Sequence, residues 1–314
     1  MTLVEVVAAL TIAAILMAAL TGVLVQAFRA QAYASQSNGA SRQARFAMER
    51  MSWAVRGTRQ LLLPQRDKPA TTWREHVREQ TVPASAPEAG SVLATAVLAV
   101  TLPLDVDQDG NGIPDADNDG DRRIDEDPAD DANGDAAAGV RGIDDGGDGF
   151  VDGGGSGDDD EFLFSAGEDP INGIDNDGDG NVDEDPPADA NADDQPGLAG
   201  VDDDGDGQVD EGAADDDDED GTASEDWWDT LVFFLNGSTL IERMPVPWDA
   251  DASGSITGRD YVESPLAEGV TRFRVERVPL SGERAELVDI VLEIKGGEGE
   301  VVSLHTRVRV GGAP

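Results

Sequence analysis

Aspartates recur at alternate positions around glycines along residues 105–221. "DNDGDRRIDEDP" begins at Asp117, "DDGGDGFVDGGG" at Asp144, "DNDGDGNVDEDP" at Asp175 and "DDDGDGQVDEGA" at Asp202. Numbered from its first Asp, each loop carries oxygen donors at positions 1, 3, 5 and 9, with mostly Gly at 4 and 6. The donors are Asp117, Asp119, Asp121 and Asp125 in the first of these loops and Asp144, Asp148 and Asp152 in the next, where Gly146 replaces one ligand. Asp175, Asp177, Asp179 and Asp183 follow, and then Asp202, Asp204, Asp206 and Asp210. "DQDGNGIPD" fits the same frame with Asp107, Asp109, Asn111 and Asp115. Alternating acids around a tight glycine turn aim their oxygens at one point, which suits a hard cation with many oxygen ligands, Ca²⁺ above all. The spacing predicts about five calcium ions in this segment. "DADASGSITGRD" offers one more, through Asp249, Asp251, Ser253 and Asp260, with a polar hairpin loop as the alternative reading.

These loops recur in a fixed register. Asp117 and Asp175 are 58 residues apart, as are Asp144 and Asp202, and Pro128/Pro186, Asn133/Asn191, Gly139/Gly197 and Gly142/Gly200 keep step. A two-loop unit has therefore been duplicated, so one structural solution is used repeatedly. Each loop also places an aliphatic residue at position 8: Ile124, Val151, Val182 or Val209. An EF-hand needs a Glu at position 12 and a helix after it; here position 12 is Pro128, Gly155, Pro186 or Ala213. The loops resemble instead the helix-free calcium repeats of thrombospondin type 3 modules, and that resemblance implies a segment folded around a string of ions. The competing reading is a disordered acidic spacer, since low hydrophobicity with high charge opposes folding.

The charge is concentrated in that segment. Of 66 acidic side chains in 314 residues, 44 lie in 105–221 against three basic ones, Arg122, Arg123 and Arg141. The rest of the chain holds 22 acidic and 19 basic side chains. Such a surface repels phosphate, which excludes nucleic acid as a partner. There is no cysteine, hence no disulfide or thiolate metal site. The only histidines, His76 and His305, are far apart, and no nucleophile motif or phosphate loop accompanies them. No enzyme activity is expected.

The elements that carry these loops begin with "MTLVEVVAALTIAAILMAALTGVL". From Met1 to Phe28 the one ionisable side chain is Glu5. The run is long enough for a helix across a bilayer, and an acid inside such a helix points to a function. Thr2, Leu3, Val4 and Glu5 resemble, position for position, the mature N-terminus of the type IV pilin superfamily, which includes the pseudopilins of type II secretion. Residue 1 is Met where that family usually has Phe. The resemblance implies cleavage before Met1 by a prepilin peptidase, methylation of the new amine, and pairing of Glu5 with a neighbouring subunit's amine. It also implies other pilin-like subunits as partners, and an inner-membrane stage with a periplasmic domain before an extracellular or periplasmic filament. An ordinary membrane anchor remains the plainer alternative.

Ala44, Met48, Met51, Val55, Thr58 and Leu62 recur at steps of four and three, one face of a continuing helix, with Asn38 and Gly39 a weak point and Pro64 a stop. "SVLATAVLAVTLPL" (91–104) reads as a buried strand. "DTLVFFLNGSTLIERM", "GVTRFRVERV", "ELVDIVLEI" and "VVSLHTRVRV" read as further strands, Asn236-Gly237 marking a hairpin. The fold class expected is α+β: a long N-terminal hydrophobic helix (1–63) on an antiparallel sheet (64–104 and 222–314), with the loop-rich calcium segment (105–221) inserted between the first two strands. This order resembles the J-type minor pseudopilins and W-type minor pilins. The function so implied is a structural filament subunit, of a type IV pilus or a type II secretion pseudopilus; a membrane-tethered calcium-dependent adhesin that never polymerises is the alternative. With only Phe150, Phe162 and Phe164 as aromatics, 105–221 lacks a conventional core, so removing calcium should unfold it.

Overall fold

The structure, a computed structural model, describes residues 3–64, 77–82, 96–118, 124, 133–135, 140–143, 151, 227–279, 286–296 and 300–311. Among the described residues one helix, α1 (Leu3–Gly57), leads into nine strands. They are β1 (Leu61–Leu63), β2 (Val77–Thr81), β3 (Val97–Thr101), β4 (Thr230–Asn236), β5 (Thr239–Pro245), β6 (Tyr261–Ala267), β7 (Val270–Pro279), β8 (Glu286–Lys295) and β9 (Val301–Arg309). Every pairing is antiparallel. Two sheets result, of five strands in the order β1-β3-β4-β5-β6 and four in the order β2-β7-β8-β9.

This corrects the expected fold class. The described residues are dominated by two antiparallel sheets of nine strands, not by a long apolar helix lying on one sheet. The strands that patterning missed are β1, β2 and β6. "LLL" at 61–63 continues the helical apolar stripe, but its backbone pairs with β3 instead. "VREQT" and "YVESPLA" carry too few apolar side chains to alternate. The helix accordingly stops at Gly57 instead of running to residue 63, and it passes unbroken through Asn38 and Gly39.

Among the described residues no helix is long and apolar enough to cross a membrane. On that finding the transmembrane helix, the inner-membrane location and the pilin-like description of the fold are not retained.

The later part of α1 packs as its stripe predicts. Ala44, Met48, Met51 and Val55 are buried, joined by Ala40, Ala47 and Ala54, whose small side chains let the helix approach closely. They meet Leu98, Val100, Leu231, Phe233 and Leu240 of the first sheet and Phe273, Ile290 and Leu292 of the second in one core. Arg50 fixes the helix to β5: its guanidinium pairs with the buried Glu242 and stacks 4.1 Å from the Trp53 ring. Burial raises the Glu242 carboxyl although Arg50 opposes the shift.

The first sheet is covered on both faces. Successive strand side chains point to opposite sides, so Leu98 and Val100 meet the helix while Val97 and Ala99 meet Leu63, Val232 and Trp228. Val140 and Ile143, from the acidic segment, complete that second cluster. β3 is buried at all five positions for this reason. The acidic segment leaves after β3 and returns before β4, the two strands between which the sequence placed it; β1 and β2, which patterning missed, precede them. The β4–β5 hairpin turns on Gly237 and Ser238, with Asn236 paired to Thr239. A positive φ of 62° at Gly237 fits the turn type that puts Gly at the first central position, one residue on from the expected Asn236-Gly237 pair.

Candidate metal centre

Two of the sequence-derived loops gather their acids. One ligand atom from each of Asp107, Asp109 and Asp115 lies within 4.8 Å of the others, and the same holds for Asp249, Asp251 and Asp260. Two oxygens bound to one calcium at 2.3–2.6 Å stand at most about 5 Å apart. Both triads therefore can hold a metal ion without moving far.

The two loops, 142 positions apart, are built by one hydrogen-bond scheme. In the first, Asp107 Oδ1 accepts from the N–H of Asn111 at 3.1 Å, Asp107 Oδ2 from Gly112 at 3.0 Å, and Asp109 Oδ1 from Asn111 at 2.9 Å. In the second, Asp249 Oδ1 accepts from Ser253 at 2.9 Å, Asp249 Oδ2 from Gly254 at 3.0 Å, and Asp251 Oδ1 from Ser253 at 2.8 Å. Donor and acceptor occupy the same loop positions in each case. The backbone matches as well: position 4 has positive φ in both, 73° at Gly110 and 62° at Ala252, and position 6 has 86° at Gly112 and 98° at Gly254. Each carboxylate oxygen has two lone pairs; Asp107 Oδ1 also accepts Gly110 N–H at 2.6 Å, whereas Oδ2, with Gly112 as its amide donor, keeps a lone pair for a cation.

The closing acids differ. Asp115 accepts from Gln108 N–H through both oxygens, at 3.0 and 3.1 Å. Burial pushes its carboxyl above the usual 3.8, against the Gln108 hydrogen bonds and with help from the charges of Asp109 and Asp107. Asp260, almost fully buried, takes Ala250 and Asp251 N–H on Oδ1 and Thr257 N–H on Oδ2, which draws the two ends of its loop together. Asp251 lies lower than usual, through hydrogen bonds from the Ser253 side chain and then its backbone. Both loops rest on the end of β5. Gln108 Nε2 donates to Pro245 O at 2.7 Å, and Val246 N–H donates to Asp260 O at 2.9 Å.

The other expected donors are placed as follows. Asn111 Oδ1 accepts from Ile113 N–H at 2.6 Å and its Nδ2 donates to Asp109 Oδ2 at 3.0 Å, so it sits among the acids of its loop. Ser253 supplies the N–H that braces both Asp249 and Asp251. Asp117 is buried next to the first loop. Asp119, Asp121, Asp125, Asp144, Asp148, Asp152, Asp175, Asp177, Asp179, Asp183, Asp202, Asp204, Asp206 and Asp210 lie outside the described residues, as does Met1. Glu5 belongs to α1.

Comparison with protein-family models, curated proteins and solved structures finds no match.

Spacing alone missed the residues that brace the loops. Asn133 Oδ1 accepts Asp135 N–H at 3.0 Å, a local turn that ties down the stretch beyond the first repeat. Asp135 in turn accepts Arg141 N–H on Oδ2 at 2.8 Å. Asn133 and Gly142, φ 79°, are both members of the 58-residue register. The register is thus a usable signal, although spacing names no partner.

Proposed function

We infer that this chain is a calcium-binding structural subunit of a type IV pilus-like or type II secretion pseudopilus-like filament, assembled through the first part of α1. The observation that carries the calcium half is the duplicated loop frame, two acid triads braced by the same amide donors at the same positions. A frame that holds three carboxylates together is stable when a cation sits among them, and oxygen-only donors in a flexible loop favour Ca²⁺ over softer metals.

Support for assembly comes from α1. Its described side chains from Met17 to Phe28 are all exposed, among them Met17, Leu20, Val23, Leu24, Val25 and Phe28. A run of large apolar side chains left open to water marks an interaction surface, and the N-terminal residues that resemble the pilin superfamily point to further copies of such a helix as its cover. Glu5 would neutralise a neighbour's terminal amine where an unpaired charge is costly. Glu5→Ala should then abolish filaments while leaving the sheets folded, as read by electron microscopy and circular dichroism. Filaments at normal yield from that variant would sink the reading.

One observation favours a second reading, a calcium-dependent binding module that does not polymerise. Trp248 directly precedes the second triad's loop and Ile256 lies within it, both exposed, where a ligand could meet ion and apolar surface together. Sedimentation in calcium separates the two: a single small species at all concentrations selects the module.

A further inference from the structure

The 249–260 loop touches the acidic segment in a way its ligand role does not require. A Cβ added to Gly258 would stand 1.8 Å from Asn133 O and 2.9 Å from the carbonyl carbons of Asn133 and Gly134. No side chain fits there, and the atoms in the way are backbone, which cannot rotate aside. One residue on, Arg259 Nε donates to Asp135 O at 3.1 Å. Arg141 Nη1 donates to the same oxygen at 2.9 Å, and Arg141 O accepts from Arg243 Nη1 at 2.7 Å. Arg243 is itself held over the Tyr261 ring at 4.4 Å and the Phe234 ring at 5.1 Å. Gly134 also packs against Trp227, less tightly, with an added Cβ 2.9 Å from the indole Cγ.

We propose that the 249–260 loop is the latch that fastens the acidic segment to the first sheet, and that its cation state sets whether the segment is docked. The second clause rests on the calcium reading above. Residues 258 and 259 make the seam, and Asp260 is wired by three amide hydrogen bonds to Ala250, Asp251 and Thr257. Whatever draws Asp249 and Asp251 towards Asp260 therefore sets the position of the seam. When the triad repels itself open, Gly258 and Arg259 leave Asn133 and Asp135, and Val140 and Ile143 lose their hold on the sheet.

The test is hydrogen exchange on the full chain, followed in peptides covering 133–143 and β4–β5. In calcium, Gly258→Ala should speed exchange in 133–143 on the order of tenfold, as expected when a closely packed seam opens locally, with β4–β5 protected as before. Arg259→Ala, which leaves the backbone unchanged, should speed it by a smaller factor. Removing calcium from the wild-type chain should reproduce the Gly258→Ala pattern, whereas Asp249→Asn with Asp251→Asn, which takes away the repelling charges, should keep 133–143 protected without calcium even though Asp107, Asp109 and Asp115 are intact. Exchange in 133–143 equal to wild type in Gly258→Ala and Arg259→Ala overturns the latch. If those two variants open the seam but calcium removal does not, or if calcium removal opens it equally in the Asp249/Asp251 variant, the cation control is overturned. Terbium luminescence sensitised by the neighbouring Trp248 reports separately on metal binding. Its absence defeats the calcium reading while the Gly258→Ala comparison still decides the latch.

Discussion

Ala252 and Gly110 occupy the same position of the same turn with opposite consequences. Both have positive φ, a region that costs an L-residue about 1–2 kcal/mol but is open to glycine. Ala252→Gly relieves that strain while making the unfolded chain more flexible, which gives back roughly 0.4–1 kcal/mol. The expected net effect is stabilisation by up to about 1.6 kcal/mol, and Gly110→Ala should destabilise by a similar amount, both read by calorimetry in calcium. The sequence could not show this, because alanine carries no mark of the left-handed conformation. It became legible only when the two loops were laid over each other.

The closing acids make a pH prediction at the same scale. Asp115 has a folded value raised above 3.8 by burial, so its contribution to metal-free stability is present below pH 3.8 and is lost as pH rises through the raised value. A cation reverses that cost and must displace the proton. Asp251 is lowered, so it stays ionised to lower pH. The first loop should therefore release its ion at higher pH than the second, as measured by cation titrations in Asp249→Asn and Asp107→Asn variants between pH 7 and 4. Equal midpoints would contradict this. Asp289 runs in the opposite sense to Asp115. Arg307 lowers it through hydrogen bonds of 2.7 and 2.6 Å, so its stabilisation is present above pH 3.8 and is lost as pH falls through the depressed value.

At the scale of elements, α1 divides along its length into an exposed part and a buried part. Met51 is fully buried, and Met51→Ala should cost about 2–5 kcal/mol through lost contacts and a cavity. Leu20 and Leu24 are exposed, so Leu20→Ser with Leu24→Ser should leave the melting temperature unchanged and abolish higher-order assembly in sedimentation. A fall in melting temperature would show that these side chains serve the fold. The buried stripe from Ala44 to Val55 was legible because helix periodicity survives when one face is covered. The division into two sheets was not. It depends on β2 and β6, whose residues are polar or interrupted by Pro265, and on pairings such as Val77 with Glu276 that join distant parts of the chain. Local patterning does not encode such partners.

For the whole molecule, the acidic segment covers the far face of the first sheet with two apolar side chains, beside its polar contacts with β5 and the 249–260 loop. Its spacing made it read as a self-contained calcium module, and the loop ligands at 107–115 agree with that reading. Val140 and Ile143 do not, for they lie in the cluster of Val97, Ala99 and Val232 and cover the face of the sheet turned from the helix. Thr101 and Thr230, which bracket the segment, are paired neighbours, so a short linker can replace residues 105–226 without stretching β3 or β4. The resulting chain keeps most of the helix-side core, losing Val106, Ala116 and the packing of Ile124, and uncovers a patch of apolar sheet on the other face. We expect it to fold, bind the apolar dye ANS strongly and aggregate at concentrations where the full chain does not. Valine and threonine are close in shape, so Val97→Thr with Val232→Thr should restore solubility to the shortened chain while costing stability in the full one. A shortened chain that stays monomeric without dye binding would mean that the segment contributes charge and calcium but no cover. Chelation of the full chain should move part of the way to the shortened chain's behaviour, with dye binding rising as Val140 and Ile143 withdraw.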